Sequence, residues 1–166
     1  MFLQKNKDVK TKKVYAERTY QTYKNRRSKS DIKKIANATK MPEEKIKDVR
    51  FHIFEDENIL FEDGTRHGFI PTWRIASAWQ RLERGRPKDI DLILINHEYE
   101  ELTLMKKYGY PYKKAHLIAN IKFPWELKVK GKWRKENDDK LQKISRDRLN
   151  YYLQHGSDYG WTYSDK

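Results

Sequence analysis

The sequence predicts a mainly α-helical, compact domain that contains an antiparallel helical hairpin and a small loop or β-hairpin insertion. Apolar residues recur at helical spacing in most segments of the chain. Gly and Pro fall mainly between those segments, where helices begin and end. One Asp-Gly turn signal, Asp63-Gly64, lies between two short apolar runs. The 166 residues are enough for one domain with a core of its own.

The composition predicts a folded protein with a polyanionic partner. The chain contains five Trp, eleven Tyr and six Phe, which excludes a wholly disordered protein. Its formal net charge is +13, which suggests a polyanionic partner, with nucleic acid first, and leaves a merely solvated Lys-rich surface as an equal alternative. Cys is absent, so the chain has no disulfide framework, as expected of a cytosolic protein or of an exported domain that refolds without redox help. The sequence shows neither a signal peptide nor an apolar run long enough to span a membrane.

The basic charge is concentrated at the start of the chain. Residues 1–30 carry ten Lys or Arg and two Asp or Glu, a net charge of +8. We interpret residues 1–27 as a basic linker or tail and residues 28–166 as the helical domain. In the alternative interpretation, Tyr15, Tyr20 and Tyr23 stack on bases or pack on the domain.

The first half of the domain predicts three short helices. Ser30 is a candidate N-cap for "DIKKIANAT", and Pro42 suits the first position of "PEEKIKDVRFHIF". After the Asp-Gly insertion, Thr72 precedes the amphipathic segment "WRIASAWQRLERG", which Gly85 ends. We expect Trp79 of this segment, and Trp125 later in the chain, to lie in the core.

The second half predicts a long helix in a hairpin, followed by a last amphipathic helix. "RPKDIDLILINHEYEELTLMKKYG" has Asp residues at its start and Lys106, Lys107 and Gly109 at its end. The short turn "KKYGYP" predicts antiparallel packing of this helix against "PYKKAHLIANIKF". "KENDDKLQKISRDRLNYYLQHG" is the last amphipathic segment, and a Tyr/Trp-rich tail, "SDYGWTYSDK", follows it.

Polar residues interrupt the apolar face of the long helix. His97 and Glu101 lie on the same stripe as Ile90, Leu94 and Leu104, and Glu98 lies on the adjoining apolar face. A buried polar group without a partner costs about 1–3 kcal/mol, so these side chains need partners. Counting from the turn at ~1.5 Å per residue puts Glu101 and His116 at nearly the same level of the hairpin and His97 about one turn deeper.

Three interpretations of this cluster remain open. In the first, His97, Glu101 and His116 bind a metal ion, since "HEYEE" is similar to the zinc-binding HExxH pattern with Glu101 in place of the second His. In the second, a carboxylate orients a histidine that transfers protons, without a cofactor. In the third, His and Glu form a satisfied core pair. We favour acid–base chemistry with no cofactor, and keep Zn²⁺ or another divalent metal as the alternative.

The motif segments resemble a known class of bacterial proteins. "IASAWQRLERG", "DIDLILINHEYEELTLMKKYGYPYKKAHLIAN" and "FPW" resemble the C-terminal toxin modules of bacterial polymorphic toxins, including rearrangement-hotspot and LXG-type effectors. The pattern is also similar to the tails of some phage minor head proteins. It extends over about residues 30–126. The resemblance implies that His97, Glu98, Glu101, His116 and an earlier histidine, His52, form the site. Asn58 stands where that pattern often has another histidine.

The resemblance implies a nuclease toxin that is secreted, acts in the cytoplasm of a target cell and is neutralised by an acidic immunity protein. RNA is the expected substrate, with DNA as the alternative. His97 and His116 are the expected base and acid, Glu101 orients one of them, and Glu98 is an alternative base. Arg74 and Arg81, on the preceding short helix, are the candidates for binding phosphate, with an ordinary surface role as the alternative that we favour for Arg81. The rival functions are a non-catalytic nucleic-acid-binding module of a phage virion and a metal-dependent hydrolase.

Overall fold

The computed structural model describes residues 2–130 and 138–156, and it confirms the mainly α-helical class. This part of the chain forms eight helices and one two-stranded sheet. In chain order they are α1 (Phe2–Asn25), α2 (Ser30–Thr39), α3 (Glu43–Phe54), β1 (Ile59–Leu60), β2 (Arg66–His67), α4 (Trp73–Glu83), α5 (Asp89–Tyr108), α6 (Tyr112–Lys122), α7 (Trp125–Lys130) and α8 (Asp138–His155). The Tyr/Trp-rich tail, residues 157–166, lies outside the described residues.

Helix α1 is part of the core over its second half, so the linker interpretation of residues 1–27 is corrected there. Ala16, Tyr20 and Tyr23 are buried, and the ring of Tyr23 packs against Phe54 and Trp79. The sequence suggested a linker because cations surround these aromatic residues. The cations project outward on α1, and the aromatic rings pack inward.

A buried ion pair joins the first helices beneath α1. The Arg50 guanidinium donates to Asp31 Oδ2 at 2.7 Å and to the carbonyl oxygen of Tyr23 at 2.7 Å. Trp79 Nε1 donates to the same Asp31 oxygen at 3.0 Å. Arg50 and Asp31 are almost completely buried, so each charge depends on the other for compensation. This cluster therefore holds α2, α3 and α4 together.

The predicted insertion is a short β-hairpin. Strands β1 and β2 are antiparallel, with Ile59 opposite His67, and Gly64 has the positive φ that the connecting turn requires. Glu62, in the connecting loop, accepts the backbone N–H groups of Lys113 and Lys114 at 2.7 and 3.3 Å. The insertion thus caps the N-terminus of α6 and fixes the start of that helix.

Helices α5 and α6 form the predicted antiparallel hairpin. Gly109 ends α5 in the left-handed conformation, with φ of 65°. Helix α7 follows α6 after Phe123 and Pro124, and it buries Trp125 and Glu126. The sequence analysis did not predict α7, which has only six residues.

Helix α8 packs against α6. Leu153, which helical spacing placed on its apolar stripe, is 58% exposed, so the buried part of α8 ends before this residue. No helix within residues 2–130 or 138–156 combines the length and the apolar composition needed to cross a bilayer.

Candidate metal centre

Five polar side chains predicted as site residues converge between α3, α5 and α6. They are His52 from α3, His97, Glu98 and Glu101 from α5, and His116 from α6. Each is at most 4% exposed. Helical spacing puts the three α5 residues on the inner side of that helix, and the hairpin turn brings His116 of α6 against them.

Three ligand-type atoms form a triangle at the centre of this cluster. His116 Nδ1 lies 2.9 Å from Glu101 Oε2 and 3.0 Å from His97 Nε2, and the remaining edge, from His97 Nε2 to Glu101 Oε2, is 3.3 Å. The predicted closeness of Glu101 and His116 is confirmed. His97 also reaches His116, although the count of residues from the turn placed it one turn deeper. Residues four apart lie on one face of a helix and their side chains lean toward its N-terminus, which brings the Glu101 carboxylate back to His97.

The size of the triangle fits the first coordination sphere of a divalent transition metal. Ligands bonded at ~2.0–2.1 Å lie about 3.3 Å apart in a tetrahedron and about 2.9 Å apart along an octahedral edge. The three observed edges, 2.9, 3.0 and 3.3 Å, have these lengths. Two imidazole nitrogens with one carboxylate oxygen are a donor set suited to Zn²⁺, Fe²⁺ or Mn²⁺.

Each histidine of the triangle is oriented through its second ring nitrogen. His97 Nδ1 lies 2.9 Å from the carbonyl oxygen of Phe123, which can only accept, so this nitrogen carries the proton and Nε2 presents its lone pair to the triangle. His116 Nε2 lies 3.2 Å from Glu126 Oε2. A proton on that nitrogen leaves Nδ1 as the lone-pair atom. A carboxylate behind a ligand histidine is the usual support of protein metal sites.

A second group of candidate ligands shares Glu101 with the first. Glu101 Oε1 lies 3.1 Å from His52 Nε2, while Oε2 faces His97 and His116. With Glu98, whose Oε2 is 3.8 Å from the same His52 nitrogen, these residues form a second set able to hold a metal ion. Each oxygen of Glu101 therefore belongs to a different candidate set, and Glu101 could contribute a ligand to either.

Glu98 has the least compensated position in the cluster. Its side chain is 1% exposed, and neither carboxylate oxygen has a hydrogen-bond partner in the described part of the chain. A buried carboxylate without such partners is unfavourable by several kcal/mol in its charged form. A cation bound beside Glu98 would remove this penalty.

Arg81, one of the two predicted phosphate-binding residues, has a different role in the structure. Its Nε and one terminal nitrogen donate to the two oxygens of Asp91 at 2.9 and 2.7 Å, which is a bidentate pair between α4 and α5. Arg74 lines the same cavity as Arg81, and its guanidinium lies 5.5 Å from the centre of the Trp73 ring. The cavity that reaches His52 contains neither arginine.

The sequence analysis missed Glu126 and Asn120, which both lie against His116. The Asn120 amide nitrogen is 3.0 Å from His116 Nε2. With the proton on Nε2, the amide must turn its oxygen, which has no other hydrogen-bond partner among the described residues, toward this nitrogen. Asn120 is four residues after His116, so its helical spacing could have identified it. Nothing local marks Glu126, because the bend at Phe123 and Pro124 decides which face of α7 turns inward.

The residues of the cluster are thus able to hold a metal ion, and no similar protein indicates which ion that would be. Comparisons with protein-family models, with curated proteins and with solved structures found no match for this chain. The candidate site therefore depends on its own geometry and chemistry.

Proposed function

We propose that this protein is a metal-dependent phosphodiesterase that cleaves nucleic acid, and that the His97–Glu101–His116 triangle binds a divalent transition-metal ion. The observation that supports this proposal is the triangle itself: three ligand atoms 2.9–3.3 Å apart, with both histidines held from behind. A hydrogen-bonded His–Glu pair with only a structural role in the core would need two such groups, not three.

The same geometry is unfavourable for acid–base catalysis by His97 and His116 alone. Every ring nitrogen of the two residues already has a neighbour: His97 Nδ1 lies against the Phe123 carbonyl oxygen, His116 Nε2 against Glu126, and the other two nitrogens against each other. A base and an acid must reach the 2′-hydroxyl and the leaving oxygen of the substrate. His97 and His116 suit coordination better, and the proton-transfer role passes to Glu98.

The chemistry follows from these positions. A bound divalent cation polarises a phosphoryl oxygen and makes a water molecule acidic. The carboxylate of Glu98 accepts the proton of the water whose oxygen attacks phosphorus. The bond from phosphorus to the leaving oxygen breaks, and that oxygen takes up the proton from Glu98. His52 is hydrogen-bonded to Glu101 at 3.1 Å and so holds the Glu101 carboxylate in position beside the triangle.

Nucleic acid is the proposed substrate because of the charge. A net charge of +13 favours a polyanion. The resemblance to polymorphic toxin modules supports a toxin delivered to the cytoplasm of a competing bacterium, with an acidic immunity protein as its partner. Chemistry at a metal site acts on RNA and DNA alike, since it does not need a 2′-hydroxyl.

Purified protein tests the proposal. We expect bound Zn²⁺, Mn²⁺ or Fe²⁺ by elemental analysis, cleavage of an RNA or DNA strand, loss of cleavage with a chelator and recovery when the metal is restored. Glu101→Gln should lose both metal and cleavage, whereas Glu44→Gln, at an exposed position on α3, should keep both. Cleavage that survives complete removal of metal would contradict the proposal and favour the acid–base scheme.

Growth inhibition tests the biological role separately. Expression of the chain in a bacterium should arrest growth and degrade nucleic acid, and Glu101→Gln should abolish both effects while the protein remains folded. Nucleic-acid binding without cleavage or growth arrest, in the metal-loaded protein, would contradict the proposal and favour the non-catalytic virion module.

A further inference from the structure

We propose that single-stranded nucleic acid enters the metal centre through a cavity beside His52, where Arg66 and Lys106 bind the phosphate next to the cleaved bond and Tyr108 stacks on the neighbouring base. This inference rests on the proposed function and names the surface that its substrate would contact. None of these three residues was a predicted site residue.

The cavity connects the cluster to solvent at His52. It has a volume of about 200 Å³, and His52, Leu102 and Met105 form its inner wall. His52 is 4% exposed and is hydrogen-bonded to Glu101, so a group in the cavity lies one side chain away from the shared carboxylate. This size admits a phosphate group with part of its sugar rather than a base pair, which favours a single strand.

Two cations from different elements line the cavity. Arg66 comes from β2, and its guanidinium donates to the carbonyl oxygen of Asn58 at 3.1 Å, which orients the side chain along the cavity. Lys106 comes from the last turn of α5. Within residues 2–130 and 138–156, neither cation forms an ion pair with a carboxylate, although Asp56 also lines the cavity. Two unpaired cations beside a metal centre fit an anionic substrate.

An aromatic platform continues from the cavity. Tyr110 lines it, and the ring of Tyr108 stacks on Tyr110 with the ring centres 5.2 Å apart. Tyr108 is 52% exposed, so much of its side chain is accessible to solvent. Lys107 and Lys114 lie over the two rings at 5.1 and 4.0 Å from the centres. Aromatic rings interleaved with cations are the usual binding surface for single-stranded nucleic acid.

Binding of a labelled 12-nucleotide single strand, as RNA and as DNA, tests the inference by fluorescence anisotropy. All proteins carry Glu98→Gln, so that the strand is not cut, and are loaded with Mn²⁺. Arg66→Gln with Lys106→Gln should raise Kd at least tenfold and lower the slope of log affinity against log salt by about 0.7, because the variant no longer neutralises one phosphate. Tyr108→Ala should raise Kd by about five- to 100-fold.

A matched control distinguishes binding in the cavity from general attraction of the strand to the protein's positive charge. Lys34→Gln with Arg84→Gln removes the same charge from exposed positions on α2 and after α4. An equal rise in Kd for this control would overturn the inference. A preference for RNA over DNA in the parent protein that disappears in the cavity variants would support it and place the 2′-hydroxyl in the cavity.

Activity on a small substrate distinguishes this inference from the proposed function. With Glu98 intact, the cavity variants should bind metal normally by elemental analysis, and the control Lys34→Gln with Arg84→Gln should hydrolyse bis(p-nitrophenyl) phosphate at the unsubstituted rate. Normal metal binding and hydrolysis, with unchanged strand affinity in all cavity variants, would overturn the inference and leave the proposed function standing. Absence of metal and of hydrolysis in the unsubstituted protein would overturn the proposed function instead.

Discussion

His97 Nε2 and His116 Nδ1 lie 3.0 Å apart in the interior, although the two residues belong to different helices of the hairpin. Because His97 Nδ1 is committed to the Phe123 carbonyl oxygen, the Nε2 atom of a neutral His97 can only accept. Its neighbours His116 and Glu101 also present acceptor atoms when they are unprotonated. A cation bound between them would satisfy all three at once.

Removing either histidine should abolish metal-dependent stabilisation. In the unsubstituted protein, Zn²⁺ or Mn²⁺ at about 100 times its Kd should raise the free energy of unfolding by about 2.7 kcal/mol. His97→Ala and His116→Ala should lose this increment, as measured by urea denaturation with and without metal. His155→Ala, at an exposed position near the end of α8, should retain it. Equal stabilisation in all four proteins would place the metal elsewhere.

Glu126→Gln should weaken metal binding without removing a ligand of the triangle. The Glu126 carboxylate lies 3.2 Å from His116 Nε2 and accepts its proton, which holds Nδ1 toward the triangle. Loss of such a supporting carboxylate reduces metal affinity about 10–100-fold. Glu100→Gln, which breaks an exposed ion pair with Lys122, is the control, and competition with a fluorescent chelator gives the affinity. Similar affinities for the two variants would assign Glu126 a packing role only.

Glu98→Gln should abolish cleavage and stabilise the metal-free protein. Glu98 is buried and its oxygens lack hydrogen-bond partners among the residues described, so a neutral side chain there removes an uncompensated carboxylate. We expect a gain of about 1–3 kcal/mol in the free energy of unfolding, measured by urea denaturation in a chelator. A loss of stability in the metal-free protein would show that Glu98 serves the fold rather than the site.

Arg50→Met should destabilise the protein without changing its chemistry. Arg50 pairs with Asp31 at 2.7 Å, and removing one partner of a buried ion pair costs about 3–5 kcal/mol. Metal affinity and the rate of cleavage by the folded fraction should stay unchanged, because the pair is separate from the His–Glu cluster. Arg27→Met, at an exposed position, should have little effect on the urea midpoint.

Deletion of residues 1–27 should unfold the domain, since it removes Ala16, Tyr20 and Tyr23 from the core. Loss of a cooperative thermal transition measures this effect. Deletion of residues 1–10 should preserve the transition, because residues 5–10 are exposed. A cooperative transition in the longer deletion would restore the interpretation of this segment as a separable basic tail.

Much of the fold and part of the site followed from local patterns in the sequence. Helical periodicity and the Gly109 stop predicted α5, and the short turn predicted the hairpin, because both depend on residues that are neighbours in the chain. The same reasoning placed Glu101 beside His116, which the structure confirms at 2.9 Å. The Asp-Gly signal predicted the small hairpin. The resemblance, rather than periodicity, singled out His52.

Other features were decided only by packing between distant segments. Whether Tyr20 and Tyr23 are buried depends on whether α3 and α4 present an apolar surface to α1. No local pattern in a basic segment predicts that contact. In the sequence Arg81 was a candidate for binding phosphate, but in the structure its guanidinium is hydrogen-bonded to Asp91.

The chemistry of the cluster was likewise decided by the tertiary structure. The sequence by itself determined that His97, Glu98 and Glu101 share the inner side of one helix and require partners. The number and direction of those partners depend on the Phe123 carbonyl, the bend that carries Glu126 and the closure of α3 over Glu101. Periodicity specifies the face on which a side chain lies, whereas coordination depends on where its terminal atoms converge in three dimensions.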